Sequence, residues 1–171
     1  MKQSGNTPPV RGPKGETLAG SIAEVNYVNI GRIDQWVMIR GESLTNPPLV
    51  ILHGGPGFSD TPFLRKYNTA LEKSFTVIYW DQRGTGKSFD RRIPISSMRL
   101  EQFISDLDEL VEKLRSRLSK RKVVFFGHSW GSVLGVLYAA RFSDKVAAYV
   151  GSGQVGDWAA AEAASYAIAW L

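Results

Sequence analysis

The sequence predicts an α/β fold: a mostly parallel sheet opened by an antiparallel β-hairpin, with helices on its faces. Three observations carry this. Four short runs, at 49–52, 75–79, 123–126 and 146–150, are apolar without alternation, as in strands buried on both faces. Helical patterns fall between and after these runs, so strands and helices alternate along the chain. Ahead of them, two stretches rich in β-formers, 23–30 and 32–40, flank Gly31, which reads as the turn of a hairpin.

Taken in order, residues 1–20 are polar with scattered Pro and Gly. They lack the apolar centre of a secretory signal and are predicted to be a flexible tail. Residues 21–171 are expected to form the core domain. Within it, Leu100, Phe103, Ile104, Leu107, Leu110, Val111, Leu114 and Leu118 make one apolar stripe at helical spacing. Ser97 is the expected N-cap of that helix. Val133, Leu134, Val136, Leu137 and Ala140 mark a second helix, and an alanine-rich third is expected from about 157 to 171.

Bulk properties narrow the function. The 171 residues, 43% hydrophobic and 22% charged, suit one soluble globular domain. The absence of cysteine excludes disulfides, thiol nucleophiles and thiolate metal sites. The net charge is +5, and its densest run (Arg115, Arg117, Lys120, Arg121, Lys122) ends the long helix. Cations there suit the helix dipole, so the run reads as a solvated helix end and not as a nucleic-acid or membrane surface. No segment approaches the roughly 18 apolar residues of a membrane span. A cytoplasmic home is expected, and the sequence sets no oligomeric state.

The most informative residues are Gly127-His128-Ser129-Trp130-Gly131. They match G-x-S-x-G, with a strand before and a helix after, the context this nucleophile turn requires. The turn is tight enough that its flanking positions must lack side chains, and it lifts the serine hydroxyl clear of the strand end. The amides opening the next helix favour negative charge at the same place. A second element, His53-Gly54-Gly55-Pro56-Gly57, directly follows the strand at 49–52. Acyl transfer builds an oxyanion that needs preorganised N–H donors. The amide of Trp130 is one expected donor; Gly55 is the favoured second, with Gly54 next.

HGGPG at 53–57, DQRGTGKS at 81–88 and GHSWGS at 127–132 together resemble the proline iminopeptidases (prolyl aminopeptidases) and their near relatives of the α/β-hydrolase fold. The resemblance runs in order over about 25–150. It implies a Ser-Asp-His hydrolase that releases an N-terminal residue, proline favoured, from small peptides. Ser129 matches the family nucleophile; Trp130 and the Gly54-Gly55 pair match its oxyanion region. The turn at 81–88 matches one that braces the HGGPG loop. Relatives also cleave other amides and esters. Related epoxide hydrolases carry aspartate at the elbow, where this chain has Ser129. No metal or organic cofactor is implied, because serine acyl transfer needs none.

In this fold the acid and the histidine follow the serine, yet no histidine lies downstream of Ser129. His128 is expected to point away from the hydroxyl, and His53 to prop the turn of its own loop. Asp157 is a conceivable acid, although an N-cap role on the alanine-rich helix fits aspartate better. The resemblance also implies eight strands and a helical cap, whereas six strands are expected here. The reading is therefore a core truncated after about the sixth strand, with the cap and last strands absent and little turnover of its own. A non-catalytic scaffold or binding module that kept the elbow, or an esterase or amidase, are the alternatives. Two further motifs fail. Gly86-Lys87-Ser88 lacks the first glycine of a phosphate loop. The G-x-G-x-x-G at 151–156 lacks the later acidic residue of a dinucleotide site.

Overall fold

The structure, a computed structural model, describes residues 5–169. Six strands form one sheet: β1 (Ile22–Ile30), β2 (Ile33–Gly41), β3 (Pro48–Leu52), β4 (Thr76–Trp80), β5 (Val123–His128) and β6 (Val146–Ser152). Five α-helices accompany them: α1 (Thr61–Tyr67), α2 (Leu71–Ser74), α3 (Leu100–Leu118), α4 (Trp130–Arg141) and α5 (Trp158–Ala169). The strand order is β1-β2-β4-β3-β5-β6. β2 pairs antiparallel with β1 and β4, while β4, β3, β5 and β6 run parallel. Gly31 and Arg32, both at positive φ (55° and 63°), form the two-residue hairpin turn whose twist matches its strands.

Two of the four continuous apolar runs have the predicted cause; β5 is buried only at alternate positions and β6 at none. β3 and β4 are buried at every position, and successive side chains alternate between two cores. Val50, Leu52, Ile78 and Trp80 face the core that takes the α3 stripe together with Leu134 and Tyr138 of α4. Leu49, Ile51, Val77 and Tyr79 face a smaller core flanked by Leu64 and Leu71. One particular differs from expectation. The N-cap of α3 is Arg99, with no side-chain cap bond. Ser97 instead closes a 3₁₀ turn, its hydroxyl donating to the Pro94 carbonyl at 2.7 Å. The third helix begins at Trp158, and its expected last residues, Trp170 and Leu171, lie outside the described residues.

The segment read as a tail is attached to the body. Val10 is buried, Arg11 bridges Thr17, and the Leu44 amide donates to the Gly20 carbonyl at 2.9 Å. The Arg40 guanidinium donates to the Thr7 hydroxyl at 2.6 Å and to the Pro8 carbonyl. At the opposite margin, β6 pairs with β5 alone among the described residues, leaving Ala147, Ala148 and Val150 exposed. Among the described residues no helix is long and apolar enough to cross a membrane.

Candidate active site

Because β4, β3 and β5 are adjacent and parallel, the loops that follow them emerge side by side at one end of the sheet. His53 comes one residue after β3, Gln82 two after β4, and Ser129 one after β5. Every predicted site residue except Asp157 belongs to these loops or to the first residue of α4.

Ser129 occupies the strand-to-helix turn at φ 50° and ψ −115°, the N-cap position of α4. Positive φ in a side-chain-bearing residue costs of order 1–3 kcal/mol and persists only where its surroundings impose it. Here they do. The Ser129 amide donates to the Ser152 carbonyl at 2.9 Å, and its carbonyl accepts from the Ser132 amide (2.9 Å) and hydroxyl (2.6 Å). The flanking glycines answer to contact distances. A Cβ on Gly127 would stand 2.6 Å from the Gly131 carbonyl oxygen; one on Gly131 would stand 1.9 Å from that of Leu52. Ser129 is half-buried, and its hydroxyl has no hydrogen-bond partner among the described residues.

The His53–Gly57 loop lies against this turn: a Cβ on Gly54 would stand 3.4 Å from that of Ser129. The two glycines proposed as donors differ. The buried Gly54 amide already donates to Asp60 Oδ2 at 3.2 Å. Gly55, at φ 110° and exposed, has an amide with no partner among the described residues, as has Trp130 at the first position of α4. Of the three expected donors, Gly55 and Trp130 thus keep amides without a partner among the described residues.

His53 is buried and committed. Its Nε2 accepts from the Gln82 backbone N–H at 3.1 Å, so the ring proton is on Nδ1, which donates to the Gly54 carbonyl at 2.9 Å. Burial holds this imidazole below its ordinary pKa of 6.5, outweighing the Gly54 bond and the fields of Asp81 and Asp60. Gln82 returns a side-chain bond to the His53 carbonyl (3.3 Å) and accepts one from the Trp130 indole (3.2 Å). It therefore ties the glycine loop to the elbow helix. Asp81 shapes its own turn, accepting from the Ser59 hydroxyl (2.5 Å) and the Lys87 amide (2.9 Å). Arg83 points the other way, into a buried bidentate pair with Asp106 of α3 at 2.9 Å.

Asp60 was missed by sequence reasoning. It is 7% exposed, and its Oδ2 takes both the Gly54 amide and the His128 Nδ1–H, the latter at 3.0 Å. It stands at the N-terminus of α1 without capping it, and nothing in the spacing of Asp60 and His128 signals the contact. Asp157 does cap: its Oδ1 accepts from the Ala160 amide at 3.0 Å, three residues on at the start of α5.

A family model described as the alpha/beta hydrolase fold matches residues 47–171. The chain belongs to that family. Among curated relatives, the probable aminopeptidase YbaC of Bacillus subtilis (strain 168) is 41% identical over 135 residues, which is 79% of this chain and 42% of that protein. Among solved structures, a proline iminopeptidase-related protein from Thermus thermophilus superposes with a TM-score of 0.65 at 25% identity, over 76% of this chain and 44% of that one. Epoxide Hydrolase A from Mycobacterium thermoresistibile gives 0.63 at 25%, over 76% and 39%. The chain thus spans under half the length of the relatives it matches.

Proposed function

We propose that this chain is the nucleophile-bearing part of a serine hydrolase that releases N-terminal residues, proline favoured, from small peptides, the step suggested by the names of its aminopeptidase and iminopeptidase relatives. In this reading the Ser129 Oγ bonds to the scissile carbonyl carbon, and the carbonyl oxygen takes the negative charge between the Gly55 and Trp130 amides. Collapse of that adduct breaks the C–N bond; the amine leaves with a proton, and water later frees the acyl group. The observation that carries the reading is the positive-φ serine at the head of α4, with Gly54 of the glycine loop packed against it. A serine at that elbow also separates the reading from epoxide hydrolysis, despite the shared fold.

Serine needs a base, and neither histidine of this chain is placed to be one: His53 Nε2 is filled by the Gln82 amide, and His128 Nδ1 is turned to Asp60. The substrate class is accordingly a small peptide or a related amide or ester, with slow turnover by these 171 residues alone. The test is a fluorophosphonate probe followed by intact mass. An oxyanion site without its full triad keeps part of its rate enhancement, so one adduct is expected, on Ser129, and it is lost in Ser129→Ala. No adduct, or one that survives that substitution, overturns the assignment.

A further inference from the structure

A cavity of about 350 Å³ lies between the N-terminal segment, the end of β2 and the α1–α2 region. Arg40 in its wall is in register with Val77 near the start of β4, so the cavity sits toward the end of the sheet opposite Ser129. Its volume is at the low end of the roughly 300–1,000 Å³ typical of small-molecule sites. Four cations line it, Arg11, Arg40, Arg65 and Lys73, against two carboxylates, Glu42 and Glu72.

The cations exceed what internal pairing requires. Glu72, 5% exposed, has both oxygens filled without Arg65: Oε2 accepts from Arg40 Nε at 3.1 Å, and Oε1 from the Tyr79 hydroxyl at 3.0 Å. Arg65 adds a further donor to the same Oε1, so one carboxylate stands against two guanidiniums. Arg40 is also 5% exposed and is held between Glu72 and the Thr7–Pro8 segment, a fixed charge that cannot swing out to solvent. The exposed Arg11 side chain donates to a neutral group, the Gly15 carbonyl at 2.6 Å, and the Lys73 ammonium has no ion pair among the described residues. A recess dominated by one sign of charge focuses the field that attracts counter-ions. Guanidiniums suit phosphate in particular, because each can meet two of its oxygens at once.

We infer that this cavity binds a phosphate dianion, carried by a small monoester or free, among Arg11, Arg65 and Lys73, with the fixed charge of Arg40 behind them. A dianion matches the excess of cations over carboxylates in the lining; a single carboxylate would leave half of that excess unmet. Against roughly 30 Å³ for one water, the volume leaves room for more than a bare phosphate. Arg11 belongs to the N-terminal segment, whereas the other cations belong to β2, α1 and α2. The bound anion therefore also fastens that segment to the body. The inference does not rest on the hydrolase reading above.

The test is calorimetric binding to the 171-residue chain at constant ionic strength and about pH 8, where a phosphate monoester is doubly charged. The probes are ribose 5-phosphate, inorganic phosphate and dimethyl phosphate. Ribose 5-phosphate is expected to bind, and the singly charged dimethyl phosphate to bind roughly tenfold more weakly, as for loss of a charged hydrogen bond. Inorganic phosphate weaker than the ester identifies a monoester as the ligand; equal binding identifies free phosphate. Arg11→Gln and Lys73→Gln, both at exposed positions, should each weaken ribose 5-phosphate by roughly threefold to tenfold. Lys113→Gln removes the same charge from the exposed side of α3, outside the cavity, and should leave binding unchanged. A wild type that binds none of the probes at about 10 mM overturns the inference. So does dimethyl phosphate that binds as well as the ester, or a Lys113→Gln protein that loses as much affinity as Lys73→Gln. Full affinity in both Arg11→Gln and Lys73→Gln overturns it equally.

Discussion

Gly131→Ala is the sharpest perturbation of the elbow that leaves its chemistry nominally intact. The added methyl carbon would stand 1.9 Å from the Leu52 carbonyl oxygen and 2.4 Å from the Leu52 carbonyl carbon, against a floor near 3.0 Å for real contacts. Both obstacles are backbone of a central strand, so neither can rotate away; α4 must withdraw by about 1 Å. Overpacking of this kind costs typically 1–3 kcal/mol of stability, which a sheet with two cores survives. The site does not survive it equally well, because the withdrawn residue adjoins both the Trp130 amide and Ser129. A misplacement of about 1 Å costs about 100-fold in rate where chemistry depends on aligned groups. Fluorophosphonate labelling of Ser129, timed by intact mass, should slow by about that factor while far-ultraviolet circular dichroism is unchanged. A folded Gly131→Ala protein that labels within threefold of wild type would refute the argument that this glycine sets the position of Ser129.

Three other outcomes follow from the same contacts. Arg83→Met leaves the fully buried Asp106 carboxylate with only Gln35 and Gln102 as donors among the described residues; urea unfolding should show a loss of about 3–5 kcal/mol, and a loss under 1 kcal/mol would contradict a structural role for the pair. His53 is held neutral by burial, so its folded pKa lies below the ordinary 6.5. The folded protein then binds fewer protons than the unfolded chain between those two values, and stability, whole above 6.5, declines as pH falls from there through the folded pKa. His53→Asn should reduce that acid-side decline between pH 7 and 5; an unchanged slope would show the imidazole plays no part in it. Among the described residues one edge of β6 is unpaired and leaves Ala148 and Val150 exposed, so the 171-residue chain should self-associate in sedimentation, and Val150→Lys should reduce this. A wild type that stays monomeric at high concentration would count against the edge.

Legibility followed the range of the interaction. The strands β3 and β4 could be read because burial on both faces writes itself into consecutive residues, and α3 because a one-sided core writes a stripe at helical spacing. The glycines of the elbow were legible for a related reason: the clash each avoids recurs wherever a strand turns straight into a helix. What escaped was held by contacts between distant residues of ordinary identity. The attachment of the tail depends on Arg40 reaching Thr7 and Pro8, and neither partner carries a pattern. The helices α1 and α2, of seven and four residues, are too short to show a period. Gly54 was placed among the amide donors because nothing in the local sequence reveals that Asp60, six residues later, already occupies its N–H.

Those distant contacts also explain how the loop after β3 is held against the turn at Ser129. Free amides near a surface would ordinarily be left to water and to loop motion. Here the loop bearing Gly55 is fastened on two sides. Gln82, following β4, holds His53 by two bonds and the Trp130 indole by a third. Asp60, beyond the loop, holds the Gly54 amide and reaches His128 on β5 through one oxygen. Each fastening spans a pair of loops that only the order β4-β3-β5 brings together. With β3 anywhere but between the other two, its loop would lack one of these neighbours. The sheet order therefore does more than bury apolar strands: under the proposed function, the ties it permits would hold the Gly55 loop in place before the chemical step.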